Sequence, residues 1–566
     1  MKHCKIKIEK DVPAKMRDGV TLYADVYRPD EDGEFPVLLT RLPYSKIFGL
    51  HFLRPDVLAE NGYIVVVQDV RGRYASEGEF IPYINEANDG YDTVEWAAKL
   101  PQANGKVGMF GLSYYGYTQL LAAMAEPPSL KVIVPTMSQN NMTDVFNDHD
   151  GTLELGAWAS WSIESILPDL ITRHFTDPKE REAAFEQLAN DIDNLEEWYK
   201  YKPINAWPPI KNTGAMPYFT EILDYPLDHP HWKNTSVKDN YDKVKTPGLH
   251  IGGWYDCFLD KTIANFLGGH RQGLGDKLVI GPWTHGNFIS MIGDRDFGTA
   301  ANAWGEANMH TRHIEWFNHW LKGEPLPHTA PIQIFTMGIN KWQGAKNWPL
   351  ENTNFTPLYF HSNGNANTRN GDGTADFKRP KATEPTDNFA YDPENPVPSH
   401  GGGTLHKAIQ ADGPRDQREL ELREDILCYT SEPLTENIEV TGPVEVVLWA
   451  KTDAINTDFT AKLIDVLPDG TAFNLTEGII RASKQHGNQV QQNVHKYTIN
   501  LWSTSNVFLK DHAIRVEISS SNFPRFDANP NTGASFIDTT ESVIANQTIL
   551  HDEAHPSHIL LPIIHD

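Results

Sequence analysis

Short apolar runs alternate with helically spaced stretches through the first 140 residues. The runs fall at 21–27, 37–40, 63–69, 106–110 and 131–135. Tyr63-Ile64-Val65-Val66-Val67 is apolar on both faces, the pattern of a central parallel strand covered on each side. Between it and the run at 106–110, residues 86–100 place Ala87, Tyr91, Val94, Trp96 and Ala97 on a partial apolar face and predict a helix. Strand, helix and strand in that order predict a parallel sheet.

From 141 to 240 the alternation stops. Residues 177–201 read as an acidic helix, followed by proline- and tryptophan-rich stretches at Trp207-Pro208-Pro209 and His229-Pro230-His231-Trp232. This predicts a helical insertion rather than more sheet. The sheet pattern resumes at 247–251 and 277–280, and 310–321 is an aromatic-rich helix. After residue 330, β-type runs at 332–336, 444–449, 459–466 and 514–519 are separated by Gly, Asn, Asp and Pro without intervening helices. That texture predicts a β-sandwich. The expected division is a sheet-and-helix domain over 1–140 and 241–325, a helical cap over 141–240, and a β-sandwich over 326–566.

A chain of 566 residues is too long for one core, which agrees with several domains. Its net charge of −26 argues against a nucleic-acid partner, because no basic cluster offsets that field. Three cysteines, Cys4, Cys257 and Cys428, are too few and too scattered for a disulfide framework. No run approaches the roughly 18 consecutive apolar residues of a membrane span, and the first residues lack the apolar core of a signal peptide. The expectation is a cytoplasmic protein with neither a membrane nor a nucleic-acid partner. A homo-oligomer stays open.

The run at 106–110 leads into Gly111-Leu112-Ser113-Tyr114-Tyr115-Gly116, and helix-forming residues follow at 118–125. A glycine-flanked serine on a strand-to-helix corner is pushed out at the end of a sheet. The next backbone N–H faces the same space, which is the layout of a nucleophile elbow. The spacing departs from G-x-S-x-G, because Tyr115 stands second after the serine and the small residue, Gly116, stands third. A tight turn would explain that string taken alone.

A serine hydroxyl becomes a nucleophile only when a histidine takes its proton and an acid orients that histidine. In elbow hydrolases the chain order is serine, acid, histidine. The two later sheet runs end in Gly252-Gly253-Trp254-Tyr255-Asp256 and Gly281-Pro282-Trp283-Thr284-His285-Gly286. Asp256 and His285 therefore stand at strand ends in the right order. Each is unremarkable among 75 acidic residues and 23 histidines, but with Ser113 they predict a catalytic triad.

These stretches, together with Arg41-Leu42-Pro43-Tyr44, Gln68-Asp69-Val70-Arg71-Gly72-Arg73, Trp320-Leu321-Lys322-Gly323, Thr441-Gly442-Pro443 and residues 519–531, resemble the CocE/NonD family of acyl esterases. The resemblance covers nearly the full length and extends to α-amino-acid ester hydrolases and X-Pro dipeptidyl-peptidases. It implies an α/β-hydrolase domain with an inserted helical cap, plus a C-terminal jelly-roll-like β-sandwich. It implies an oxyanion hole made by the Tyr44 hydroxyl and the Tyr114 backbone N–H. A small-molecule carboxylic ester, cleaved through an acyl-enzyme, is the expected substrate. No cofactor and no metal are expected. Arg71, Gly72 and Arg73 read as loop-fixing residues. Cys257 reads as a buried filler, since nothing cationic adjoins it in sequence. The His229-Pro230-His231 pair lacks a third metal ligand at useful spacing.

Two relatives carry alternative activities. Amino-acid ester hydrolases hold a substrate ammonium with carboxylates, some just beyond the triad acid. Here Asp256 is followed by Cys257-Phe258-Leu259-Asp260, without the adjacent acidic pair, which weakens that reading, while Asp144, Asp148, Asp150 and Glu154 on the cap side are the candidates to supply the acidity instead. X-Pro dipeptidyl-peptidases carry an extra N-terminal domain, whereas this chain enters the sheet within its first 25 residues. A plain esterase is the preferred expectation. A non-catalytic ligand-binding protein is the alternative from another class, and the intact triad positions with Tyr44 argue against it.

Overall fold

The computed structural model describes residues 5–143, 151–226, 228–405 and 412–565. Ten strands form one sheet: β1 (Ile6–Lys15), β2 (Thr21–Pro29), β3 (Phe35–Leu42), β4 (Ile64–Asp69), β5 (Ala103–Leu112), β6 (Leu130–Thr136), β7 (Leu249–Tyr255), β8 (Lys277–Thr284), β9 (Ile332–Thr336) and β10 (Lys341–Ala345). Their spatial order is β1-β2-β4-β3-β5-β6-β7-β8-β9-β10. Neighbours from β4 through β9 are parallel, while β2 is antiparallel to β1 and β4, and β10 to β9. The β-branched run Ile64, Val65, Val66 and Val67 opens β4 and is wholly buried, as a strand covered on both faces requires.

Helices α1 (Pro55–Glu60), α2 (Glu86–Ala97) and α3 (Tyr114–Met124) belong to the crossovers of this half of the sheet. Residues Tyr114 through Ala123 of α3 are all buried, so the helix after Ser113 is fixed on every side. Between β6 and β7 the elements of the described residues are helices, as the loss of alternation predicts. The single helix expected at 177–201 is two, Pro178–Asp193 and Leu195–Tyr199. Asp177 caps the first by accepting from Lys179 N at 2.8 Å, and Asn194 breaks the run at φ −108°, ψ 22°. An asparagine's side chain competes for local backbone groups, and the acidic surface pattern on either side hides the break.

Among the described residues, eleven strands beyond residue 350 form a second sheet. Its longest strand, Ile438–Thr452, pairs antiparallel with His495–Phe508, Ala545–Leu550 and His558–Ile564. The run 332–336, grouped above with these later strands, instead pairs in parallel with β8. A five-residue apolar run carries no signal of which sheet it joins; only the neighbour it meets decides. The two sheets are stitched where Met337 N donates to Ser505 O at 3.0 Å and Val507 N donates to Met337 O at 2.9 Å. The molecule is thus an α/β-hydrolase sheet with a helical insertion, followed by a β-rich C-terminal domain. No helix among the described residues is long and apolar enough to cross a membrane.

Candidate active site

Ser113 follows the C-terminal end of β5 with φ 60° and ψ −123°. A side-chain-bearing residue in that region costs about 1–3 kcal/mol and persists only where its surroundings hold it. Three bonds hold it here: Ser113 N donates to Thr136 O at 2.9 Å, and Ser113 O accepts from Gly116 N at 2.9 Å and Tyr117 N at 3.0 Å. The glycines of the motif explain its unusual spacing. Gly111 has φ 152°, and a Cβ there would sit 2.4 Å from the Tyr115 ring and 2.5 Å from Tyr115 O. Tyr115 therefore occupies the second position after the serine by lying over a residue that has no side chain. Gly116 lets α3 approach β6, since a Cβ would meet Thr136 O and Ser138 Cβ at 3.0 Å.

Asp256 and His285 follow β7 and β8, the strands expected to carry them. His285 Nδ1 and Asp256 Oδ1 are 2.6 Å apart, with Asp256 fully buried and the His285 side chain 8% exposed. This is the short, charge-assisted geometry that fixes an imidazole's orientation. Phe258 stands edge-on to the His285 ring, with centroids 5.4 Å apart. Ser113 makes no direct hydrogen bond to His285 among the described residues. Without a bound substrate, such catalytic bonds are often long and close only in the complex.

Tyr44 lies in the turn after β3 and accepts a hydrogen bond from Trp161 Nε1 at 2.8 Å. Burial pushes its hydroxyl up to about 12, against the Trp161 bond and the nearby Arg73 charge, so it stays a donor through the working pH range. Arg73 fixes this turn: its Nε donates to Pro43 O at 2.9 Å and its Nη1 to Ile166 O at 2.8 Å on the helical insertion. Arg71 bonds Asp89 and Asp18 instead. Tyr114 is the first residue of α3, so its N–H has no acceptor inside the helix. Its ring is locked by stacking on Tyr83 at 4.0 Å and by donating from its hydroxyl to Glu86 Oε1 at 2.9 Å. Arg41 Nη1 holds the other Glu86 oxygen at 2.7 Å, which ties the Arg-Leu-Pro-Tyr segment to the elbow.

Ser113 and Tyr44 line one cleft with Trp158, Trp161, Cys257 and Phe258, enclosing about 650 Å³ of atom-free space that is partly open to solvent. Glu154 and Lys261 bring charge to its wall, and both are buried. A guanidinium nitrogen of Arg525 lies 3.6 Å from Glu154. Asp144, Asp148 and Asp150 lie outside the described residues. Cys257 is buried, and burial with the adjacent Asp256 carboxylate pushes its thiol well above the ordinary range. His229 and His231 do not form a metal cluster with a third ligand among the described residues. His229 instead caps the helix Pro230–Thr235.

The sequence pointed to Ser113, Tyr44, Asp256 and His285 but not to Trp161, Phe258 or the Arg41–Glu86–Tyr114 chain. Trp161 meets Tyr44 across 117 residues, and one tryptophan among 15 carries no local signal of such a partner. The C-terminal domain also reaches the site. Leu405 lines the cleft, and Tyr255, just before the acid, donates its hydroxyl to Asn474 O at 3.1 Å.

Residues 18–287 match the X-Pro dipeptidyl-peptidase (S15) family, and residues 327–560 match the X-Pro dipeptidyl-peptidase C-terminal non-catalytic domain. The chain is 38% identical over 572 residues to cocaine esterase from Rhodococcus sp. (strain MB1 Bresler), covering 98% of each chain. Among solved structures, it shares its fold with an aminopeptidase from the marine sediment archaeon Thaumarchaeota archaeon (TM-score 0.80, 24% identity, 100% of this chain and 97% of the other). An α-amino acid ester hydrolase also shares the fold (TM-score 0.81, 23% identity, 99% of this chain and 97% of the other). With identity of that extent along its whole length, and a family match over the part that carries the elbow serine, the chain belongs to the CocE/NonD family of serine hydrolases.

Proposed function

We propose that this protein is a serine esterase that cleaves neutral carboxylic esters, with Ser113 as nucleophile, His285 as general base and Asp256 as the orienting acid. The observation that carries the reading is the Asp256–His285 pair at 2.6 Å, whose neighbours Cys257 and Phe258 line the cleft together with Ser113. In this mechanism His285 Nε2 takes the Ser113 proton as Oγ attacks the ester carbonyl. Asp256 keeps the proton of the imidazole on Nδ1 and stabilises the imidazolium that forms. The negative oxygen of the tetrahedral intermediate accepts from the Tyr44 hydroxyl and the Tyr114 N–H, two donors fixed before the reaction begins. His285 returns the proton to the leaving alkoxide, and water repeats the sequence on the acyl-enzyme.

The apolar cleft wall of Trp158, Trp161 and Phe258 suits an uncharged acyl or alcohol group. An amino-acid ester or an X-Pro amide would add a free ammonium. The described carboxylate on the cleft wall, Glu154, is partly offset by Arg525 at 3.6 Å. The expected division at 1–140 with 241–325, 141–240 and 326–566, in which the last part lends the strands 332–336 and 341–345 to the first sheet, the jelly-roll-like form of that last part and a cytoplasmic location complete the reading. Comparing p-nitrophenyl acetate and butyrate with phenylglycine methyl ester and Gly-Pro anilide tests it. The simple esters should have the highest kcat/KM; a preference for Gly-Pro anilide would replace the esterase with a dipeptidyl-peptidase.

A further inference from the structure

The mechanism leaves one side chain at its centre unused. Cys257 Sγ lies 3.9 Å from Asp256 Oδ1, the oxygen that holds His285 Nδ1 at 2.6 Å. One donor atom from each of the three residues falls within 4.8 Å of the other two. Thiolate, imidazole and carboxylate together form a recognised donor set for Zn²⁺, and the sulfur favours softer divalent ions further. A second, independent feature points the same way. Asp256 Oδ2 is buried and has no hydrogen-bond partner among the described residues, whereas a buried carboxylate oxygen is ordinarily paired. A cation would satisfy it. Cys257 lines the open cleft beside Ser113, so an ion has a route in from solvent.

We propose that Asp256, Cys257 and His285 form an inhibitory site for a thiophilic divalent cation such as Cd²⁺ or Zn²⁺. The 2.6 Å separation argues for inhibition rather than a resident ion. Two ligands with bonds of about 2.0 Å to a tetrahedral ion stand roughly 3.3 Å apart, so the ion enters only as the acid–imidazole hydrogen bond opens. Binding forms M–Sγ, M–Nδ1 and M–O bonds. The Cys257 thiol proton goes to solvent, and the Nδ1 proton is lost while Nε2 takes one up, so one proton is released per ion bound. The two negative ligands balance the ion's charge. With Nδ1 on the metal and Nε2 protonated, His285 has no lone pair left for the Ser113 hydroxyl. The inhibitory effect, unlike the binding, rests on His285 being the base proposed above.

The test uses the full-length enzyme, CdCl₂ and a p-nitrophenyl ester, with each variant compared to its own metal-free rate. Cd²⁺ should inhibit the native protein, a chelator should restore the rate, and an ultraviolet cadmium–thiolate band should appear in step with the loss. In Cys257→Ser the band should vanish and the inhibiting concentration should rise by about tenfold or more, while Cys428→Ser should behave as the native protein. Inhibition and band unchanged in Cys257→Ser would overturn the site without touching the Ser113 reading. A band that depends on Cys257 with undiminished activity would overturn the inhibitory role and count against His285 as the base.

Discussion

Replacing Tyr44 by phenylalanine tests the oxyanion hole with the least disturbance to packing. The ring keeps its edge contacts with Tyr114 and Tyr115 at centroid distances of 6.5 and 6.2 Å, so only the hydroxyl is lost. That hydroxyl accepts from Trp161 Nε1 at 2.8 Å, which leaves its own proton free to point at the developing oxyanion. Removing one such donor costs about 2.7–4 kcal/mol in the transition state, a fall of roughly 10²–10³ in kcat. The ground-state ester gains little from the same donor, so KM should change less than about threefold. The Trp161 N–H loses its acceptor, but Trp161 is only partly buried, so the stability loss should stay near 1 kcal/mol. Because Tyr44 is pushed up to about 12, the native and variant enzymes should share the same pH–rate shape up to about pH 11. Steady-state kinetics on p-nitrophenyl butyrate, with thermal unfolding as the control, measure all three. A loss in kcat below tenfold, or a matching rise in KM with normal kcat, would remove Tyr44 from the oxyanion hole.

Asp256→Asn should lower kcat by about 10⁴, because an amide donating to Nδ1 forces the proton onto Nε2, the atom that must accept from Ser113; a loss under tenfold would place the acid elsewhere. In the C-terminal domain, His551 sits between Asp387 Oδ2 at 2.9 Å and Glu384 Oε2 at 3.0 Å. Burial opposes its charge, but the two carboxylates outweigh that and raise it above the ordinary imidazole range, while Asp387 is lowered despite its own burial. A raised histidine stabilises fully below about pH 6.5 and loses that contribution as pH climbs through its folded value. The stability that His551 contributes should therefore fall as pH rises above about 6.5, so the melting-temperature difference between native protein and His551→Gln should shrink over that rise; a difference that does not change with pH would mean the pair carries no pH-linked stability.

The parts of the fold that show in the sequence are those where burial leaves no choice. The Ile64–Val67 run is apolar because both faces of β4 are covered, and the glycines at 111 and 116 are present because backbone and rings fill the space of their side chains. Asp256 and His285 were legible because strand ends recur at readable intervals. What stayed hidden depends on partners distant in sequence. The run at 332–336 joins β8 rather than the later strands, Trp161 reaches Tyr44 from the helical insertion, and Tyr255 is braced by the carbonyl of Asn474. The break at Asn194 was lost in a uniformly polar surface, where nothing buried marks the register.

Ser113 as the activated nucleophile is the claim on which the rest depends, and a fluorophosphonate probe addresses it directly. The folded protein should take up one equivalent, lose its esterase activity in proportion, and carry the label on the peptide containing Ser113, with none in Ser113→Ala. Labelling of another residue, or full activity after Ser113 is modified, would contradict the account.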